Sequence, residues 1–215
     1  MVLGPHGKRT YRLIIIAEKR LPALRGGGDR KSWGFVQTVS HRPDEVEDEL
    51  DPESYSTKTR GERHQPAARP AGEGHLRPGA PPHHLAYALE LPDRPGDVQR
   101  TLNIHREGSY TVAVKNPDAP SPPSVGLDEA RKANFPEPLR RRFEGRRFIA
   151  VDPPEFLDHE GAEILLVGAR ADASAELGAQ LNPERETEAT AEIFNDLRLE
   201  KSMHPLTPLF EGKWA

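Results

Sequence analysis

Three neighbouring stretches, HLAYALEL (84–91), VQRTLNI (98–104) and SYTVAVK (109–115), decide how this chain reads. In the first, Leu85, Tyr87, Leu89 and Leu91 alternate with Ala86, Ala88 and Glu90. In the second, Val98, Leu102 and Ile104 share a parity, and in the third Tyr110, Val112 and Val114 alternate with Thr111, Ala113 and Lys115. Successive strand side chains point to opposite faces, so a period of two marks a strand with one face on a core. The connectors PDRPG (92–96) and HREG (105–108) have the composition of turns. The expectation is an antiparallel meander over 84–91, 97–104 and 109–115.

Four apolar runs extend this reading. YRLIIIA (11–17), WGFVQTVS (33–40), RRFIAV (146–151) and EILLVGA (163–169) have the look of buried strands. Helices are expected at EPLRRRFEG (137–145), with Pro138 at its first position, Leu139 and Phe143 four apart and Gly145 as its stop, and at 182–201, where Ala189, Ile193 and Leu197 recur every fourth residue. EVEDEL (45–50) and LDEARKA (127–133) suit short helical pieces. The fold class is then α+β: a mainly antiparallel or mixed sheet of about six strands, two or three packed helices and a long irregular loop. The domain organisation is one domain over 1–215. Within it, 41–82 is a long flexible or partly ordered loop, since it carries few large apolar residues. The tail 202–215, with Leu206, Leu209, Phe210 and Trp214, docks on the body or on a partner.

Composition narrows the function classes. The absence of cysteine excludes disulfides, thiolate zinc sites and cysteine catalysis. The apolar run Leu13–Ala17 is too short for a secretory signal, and no run approaches the ~18 apolar residues that a membrane crossing needs. A soluble, cytoplasmic protein without a membrane partner is expected. A net charge of −4 argues against a general nucleic-acid coat and leaves room for a local basic patch.

Two clusters carry chemistry. The stretch DPPEFLDHEG (152–161) offers Asp152, Asp158, His159 and Glu160 between two strands. Such groups suit an acid–base pair or a divalent-metal hydrolytic site, with His84 or His105 as a distant partner. A polar turn explains the same residues, and on an extended chain Asp158 and Glu160 share a side that His159 opposes. No metal ligand is assigned, and nothing in the sequence names a cofactor. RRRFEGRR (140–147) is the densest basic cluster, with Arg140, Arg141, Arg142, Arg146 and Arg147. Guanidinium forks match phosphate oxygens, and Lys115 at a strand end would add to them.

A second basic segment, 57–74, carries Arg60 and Arg63. It could close over an anion or serve as a tether paired with the seven acids of 44–53. RGGGDRKS (25–32) lacks the following helix and GKS or GKT of a phosphate loop, and reads as a hairpin loop. His64, His75, His83 and His84 have no metal-ligand spacing. The leading expectation is a binding protein for an anionic ligand, a nucleotide or a nucleic acid. The rivals are the hydrolase built on 152–160 and a structural or interaction module. The last would use its tail to hold a protein partner or a second copy of itself.

Overall fold

The strand Glu107–Lys115 is the spine of the sheet, because three other strands bond to it. The computed structural model describes residues 1–4, 10–24, 31–57, 61–78, 84–121, 126–173 and 186–214. The strands run in chain order as β1 (Val2–Leu3), β2 (Tyr11–Ile16), β3 (Lys31–Ser40), β4 (Glu53–Thr57), β5 (Gly61–Gln65), β6 (Glu73–Pro78), β7 (His84–Leu91), β8 (Glu107–Lys115), β9 (Phe148–Ala150) and β10 (Glu163–Gly168). The helices are short: α1 (Pro43–Asp48), α2 (Asp97–Thr101), α3 (Glu137–Arg141), α4 (Ile193–Asp196) and α5 (Thr207–Glu211). Single 3₁₀ turns occupy Glu129–Arg131 and Pro154–Asp158.

The main sheet has the order β1-β2-β3-β10-β8-β7-β6, and every pairing in it is antiparallel. On one side β8 bonds β10; on the other it bonds β7 over Glu107–Thr111 and β9 over Ala113–Lys115. β4 and β5 form a separate two-stranded sheet. The architecture is thus sheet-rich α+β, with strands dominant and helices of one or two turns. Among the described residues, no helix is long and apolar enough to cross a membrane.

The core follows from alternation along the central strands. Ile14, Val36, Tyr110, Val112, Val114, Ile164 and Leu166 are buried, and Phe135, Leu139, Phe143, Val151 and Phe156 pack against them from the 133–156 segment. Ser32 and Gly34 fall at the same parity as Val36, and both are buried. A side chain at Gly34 would press on the Ile15 carbonyl and the Ile16 side chain, so the narrow residue lets β2 approach β3.

Three expectations differ from what is seen. Residues 97–104 are not the middle strand of a meander: β7 and β8 bond directly, and 97–101 is α2. Val98 and Leu102 are four apart, a spacing a helix uses as well as a strand, and the Gly96 amide donates to Gln99 Oε1 (2.8 Å), as in a helix start. Asn103 then leaves the helix at φ +55 and donates from Nδ2 to the Leu21 carbonyl (2.8 Å). The 41–82 segment contains α1, β4, β5 and β6, of which α1 is pinned by the fully buried Val46. In the long C-terminal run, 182–185 lie outside the described residues, and from 186 onward only Ile193–Asp196 is helical. There the chain serves two packing sites. Ala191 joins Leu91 and Leu209, whereas Leu197 and Leu199, on either side of Arg198 at φ +55, join Leu13 and Val46.

Candidate functional site

The arginine cluster rests on a helix anchored from below. Leu139 and Phe143 point into the core, where Phe143 meets Phe135 and Phe156 at ring distances of 5.9 and 5.5 Å. With those two positions fixed inward, Arg140, Arg141 and Arg142 are turned to solvent. Glu144 (φ +47) and Gly145 (φ +75) then reverse the chain into β9, and Arg146 and Arg147 flank that reversal. The left-handed position at 145 suits glycine, which has no Cβ to clash.

Four of the five guanidiniums, those of Arg140, Arg141, Arg146 and Arg147, have a definite neighbour. Arg140 donates through one nitrogen to both oxygens of Asp118 (2.9 and 3.2 Å), and that bond makes the guanidinium hold its proton more firmly than usual. Arg141 pairs with Glu137 (2.9 Å) one turn earlier, and Arg146 with Glu144 (3.0 Å). Arg147 lies over the Phe148 ring at 5.6 Å. The turn after β8 gathers several of them. The Asn116 amide donates to the Arg147 carbonyl (2.9 Å), its Nδ2 donates to the Arg146 carbonyl (3.3 Å), and Lys132 Nζ donates to the Pro117 carbonyl (3.3 Å) while pairing with Glu129. The side chains of Arg140 and Lys132 and the backbone carbonyls of Arg146 and Arg147 therefore meet at one short turn. Lys132 was not singled out in the sequence, and no local signal marks it; the turn at 116–118 brings it there.

Lys115 does not face this surface. Its side chain is 0% exposed and Nζ donates to Glu163 Oε2 at 2.8 Å, beside the paired residues Val114 and Ile164. The Leu127 amide donates to the other oxygen of Glu163 (3.1 Å). The strand therefore ends in a buried ion pair, whereas Lys115 was expected to join the arginines at an anion site. Arg63 is exposed on β5, directly opposite Tyr55 of β4. Arg60 lies outside the described residues, as do His83 and most of the 25–32 loop.

The acidic stretch docks as a clasp. Phe156 is fully buried, and Asp158 accepts from Arg12, whose Nε is 2.7 Å away. Glu160 Oε1 accepts from the Val39 amide (3.0 Å). Arg12 and Val39 are partners across β2 and β3, so both acids grip the same rung of the sheet. The His159 ring meets the edge of Phe135 at 5.3 Å and 84°. Gly161, at φ +77, donates its amide to the Val36 carbonyl (2.8 Å). Asp152 is exposed on the surface. His84 is on β7, beyond β10 and β8 from this rung, with its Nε2 3.4 Å from Thr111 Oγ1, and His105 is exposed. Asp158, His159 and Glu160 thus have three separate partners. Among the described residues, no group of three or more His, Asp or Glu side chains is placed to hold a metal ion.

Sequence inspection also passed over a polar cleft of about 510 Å³ lined by Tyr11, His41, Arg42, Asp44, Asn195, Asp196 and Arg198. Its walls lie more than 150 positions apart, so no local pattern marks it. It passed over a carboxyl cluster too. Burial and the neighbouring Glu186 raise Glu73 to about 8, and Glu90 lies close enough to add to the effect. Comparison of the chain with protein-family models, with curated proteins and with solved structures finds no match in any of the three.

Proposed function

We propose that the protein is a soluble, cytoplasmic binding protein that takes an anionic ligand, a nucleotide or a nucleic acid, on the surface formed by α3 and the 144–147 reversal. The observation that supports this reading is the gathering, at the Asn116–Asp118 turn, of the Arg140 and Lys132 side chains and of the backbone carbonyls of Arg146 and Arg147, whose side chains leave from the same chain reversal. Their backbones are held by the buried Leu139 and Phe143, so little order has to be created when a ligand arrives. Their carboxylate partners are exposed, and exposed ion pairs contribute little to stability. A phosphate group offers more acceptor oxygens than a carboxylate, so it can displace Asp118, Glu137 or Glu144 from the guanidinium forks.

The test is a titration at low salt with inorganic triphosphate, ATP and mixed-sequence oligonucleotides. The expected result is association that weakens as salt rises and drops roughly tenfold in Arg140→Gln/Arg147→Gln. Undetectable association at low salt, or affinity indifferent to that double substitution, overturns the reading.

A further inference from the structure

We propose that the ligand on the α3 arginines is a single-stranded nucleic acid, and that its bases stack on the adjoining outer face of the main sheet. The two faces of that sheet differ. One carries Ile14, Val36, Val112, Val114, Ile164 and Leu166, all buried in the core. The register defines the other, since directly paired residues share a face. Trp33 of β3, Leu165 of β10, Ala113 of β8 and Ala150 of β9 are successive partners along one row. In the next row Ile15 of β2 pairs with Phe35 of β3 and Phe35 with Glu163 of β10, while Phe148 of β9 lies opposite Lys115. Apart from the buried Lys115 and Glu163, these residues are half-buried or, for Ile15, exposed, and they belong to none of the buried clusters. An antiparallel sheet that turns one face to water normally lines it with polar residues. Here three aromatic rings, Trp33, Phe35 and Phe148, stand there.

Charge selects what covers them. The Trp33 and Phe148 rings meet edge to face at 5.5 Å. The exposed Arg147 lies over the Phe148 ring at 5.6 Å, and the exposed Arg131 over Phe35 at 5.3 Å. Lys31, two residues before Trp33 on β3, is exposed as well. On these rows the one acid, Glu163, is held by Lys115. Aromatic rings beside free-standing cations match what a single strand offers: unstacked bases joined by phosphates. A base stacks on a guanidinium plane as it does on a ring, so Arg131 and Arg147 extend the platform. Four strands at the usual spacing span roughly 14 Å, which accommodates two or three bases. Arg147 serves both surfaces, because its carbonyl joins the Asn116 turn while its guanidinium covers Phe148. The inference rests on the anion-binding reading and names the ligand class of that site.

The experiment measures fluorescence anisotropy of the full chain at low salt with a mixed-sequence single strand of about 12 nucleotides, the same sequence as a duplex, and an abasic strand that keeps only the phosphates and sugars. Inorganic triphosphate is titrated in parallel. Trp214→Phe leaves Trp33 as the one tryptophan, so its emission reports stacking. The expected result is a single strand bound roughly tenfold or more tighter than the duplex and the abasic strand, with Trp33 emission quenched. Phe148→Leu, which keeps apolar bulk and removes the ring, is expected to weaken the single strand roughly tenfold and to change triphosphate binding little. Equal binding of the abasic strand or the duplex, or unchanged Trp33 emission in the complex, overturns this inference and leaves the anion-binding reading in place. Absence of both triphosphate and strand binding overturns the two together. A stable dimer in sedimentation, with Trp33 shielded from iodide, assigns the face to a second copy and overturns the inference.

Discussion

Lys115 and Glu163 show what a single residue's environment decides. Both side chains are removed from water, so each charge depends on the other and on the Leu127 amide. Removing one partner leaves an uncompensated buried charge, whereas replacing both with apolar groups is often neutral. Lys115→Met is expected to lower unfolding free energy by about 3–5 kcal/mol in urea denaturation, and Lys115→Met/Glu163→Leu to recover most of that loss. The parity of Lys115 was legible in SYTVAVK, but its depth was not. Depth depends on distant pairings, since Glu163 accepts from both Lys115 and the Leu127 amide, 48 and 36 positions away. A second buried acid gives a pH signature. Glu73 has a folded value of about 8 against an ordinary 4.5, raised first by burial and then by Glu186 and Glu90, while the Ile193 backbone amide works the other way. Between those two values the folded chain keeps a proton that the unfolded chain has released, so stability falls as pH rises through that window. The expected outcome is a melting temperature that declines from pH 5 to pH 8, with a shallower decline in Glu73→Gln.

Elements were legible where one packing partner governed them. YRLIII, WGFVQTVS and EILLVG, read as buried strands, are β2, β3 and β10 of one sheet; burial alternates along much of β3 and β10, whereas in β2 Leu13 and Ile14 are both buried beside a bulge and Ile15 is exposed. The anchored helix at 137–141 was equally clear, because Leu139 and Phe143 four apart need only one core beneath them. Phe143→Ala tests that anchor: it removes a ring that touches both Phe135 and Phe156, and a loss of about 3–5 kcal/mol is expected in thermal or urea unfolding. The element misread as a strand, 97–104, has a pattern shared by both periods. What selects the helix there is distant. Gln99 is fully buried and donates to the carbonyls of Ala71 (2.7 Å) and Pro208 (2.9 Å), and Val98 donates to Gly212 (3.0 Å). The run after 186 was misread for a related reason, since two packing sites on different elements divide it. The candidate site was half legible. The arginines stood out as composition, but their meeting with Lys132 depends on the Asn116–Asp118 turn, which is set by side-chain to backbone bonds.

Across the whole molecule, the buried residues are unevenly shared among the elements. The sheet, the 133–156 segment and the C-terminal pieces share the buried residues, down to Leu209 of α5 at 0% exposure and Gln99 beneath it. The β4–β5 ribbon supplies none of them: between Asp51 and Pro66 no residue is buried among those described. Its root closes through backbone and His204 contacts that lie outside the ribbon itself. Replacing 54–64 with a short Gly-Ser turn therefore removes no residue that is buried among those described and shortens a closed loop, and loop entropy changes slowly with length. The expected change in unfolding free energy is within about 1 kcal/mol, read by urea denaturation, with triphosphate association retained. A large loss of stability would mean that the ribbon carries structural weight its exposure does not reveal.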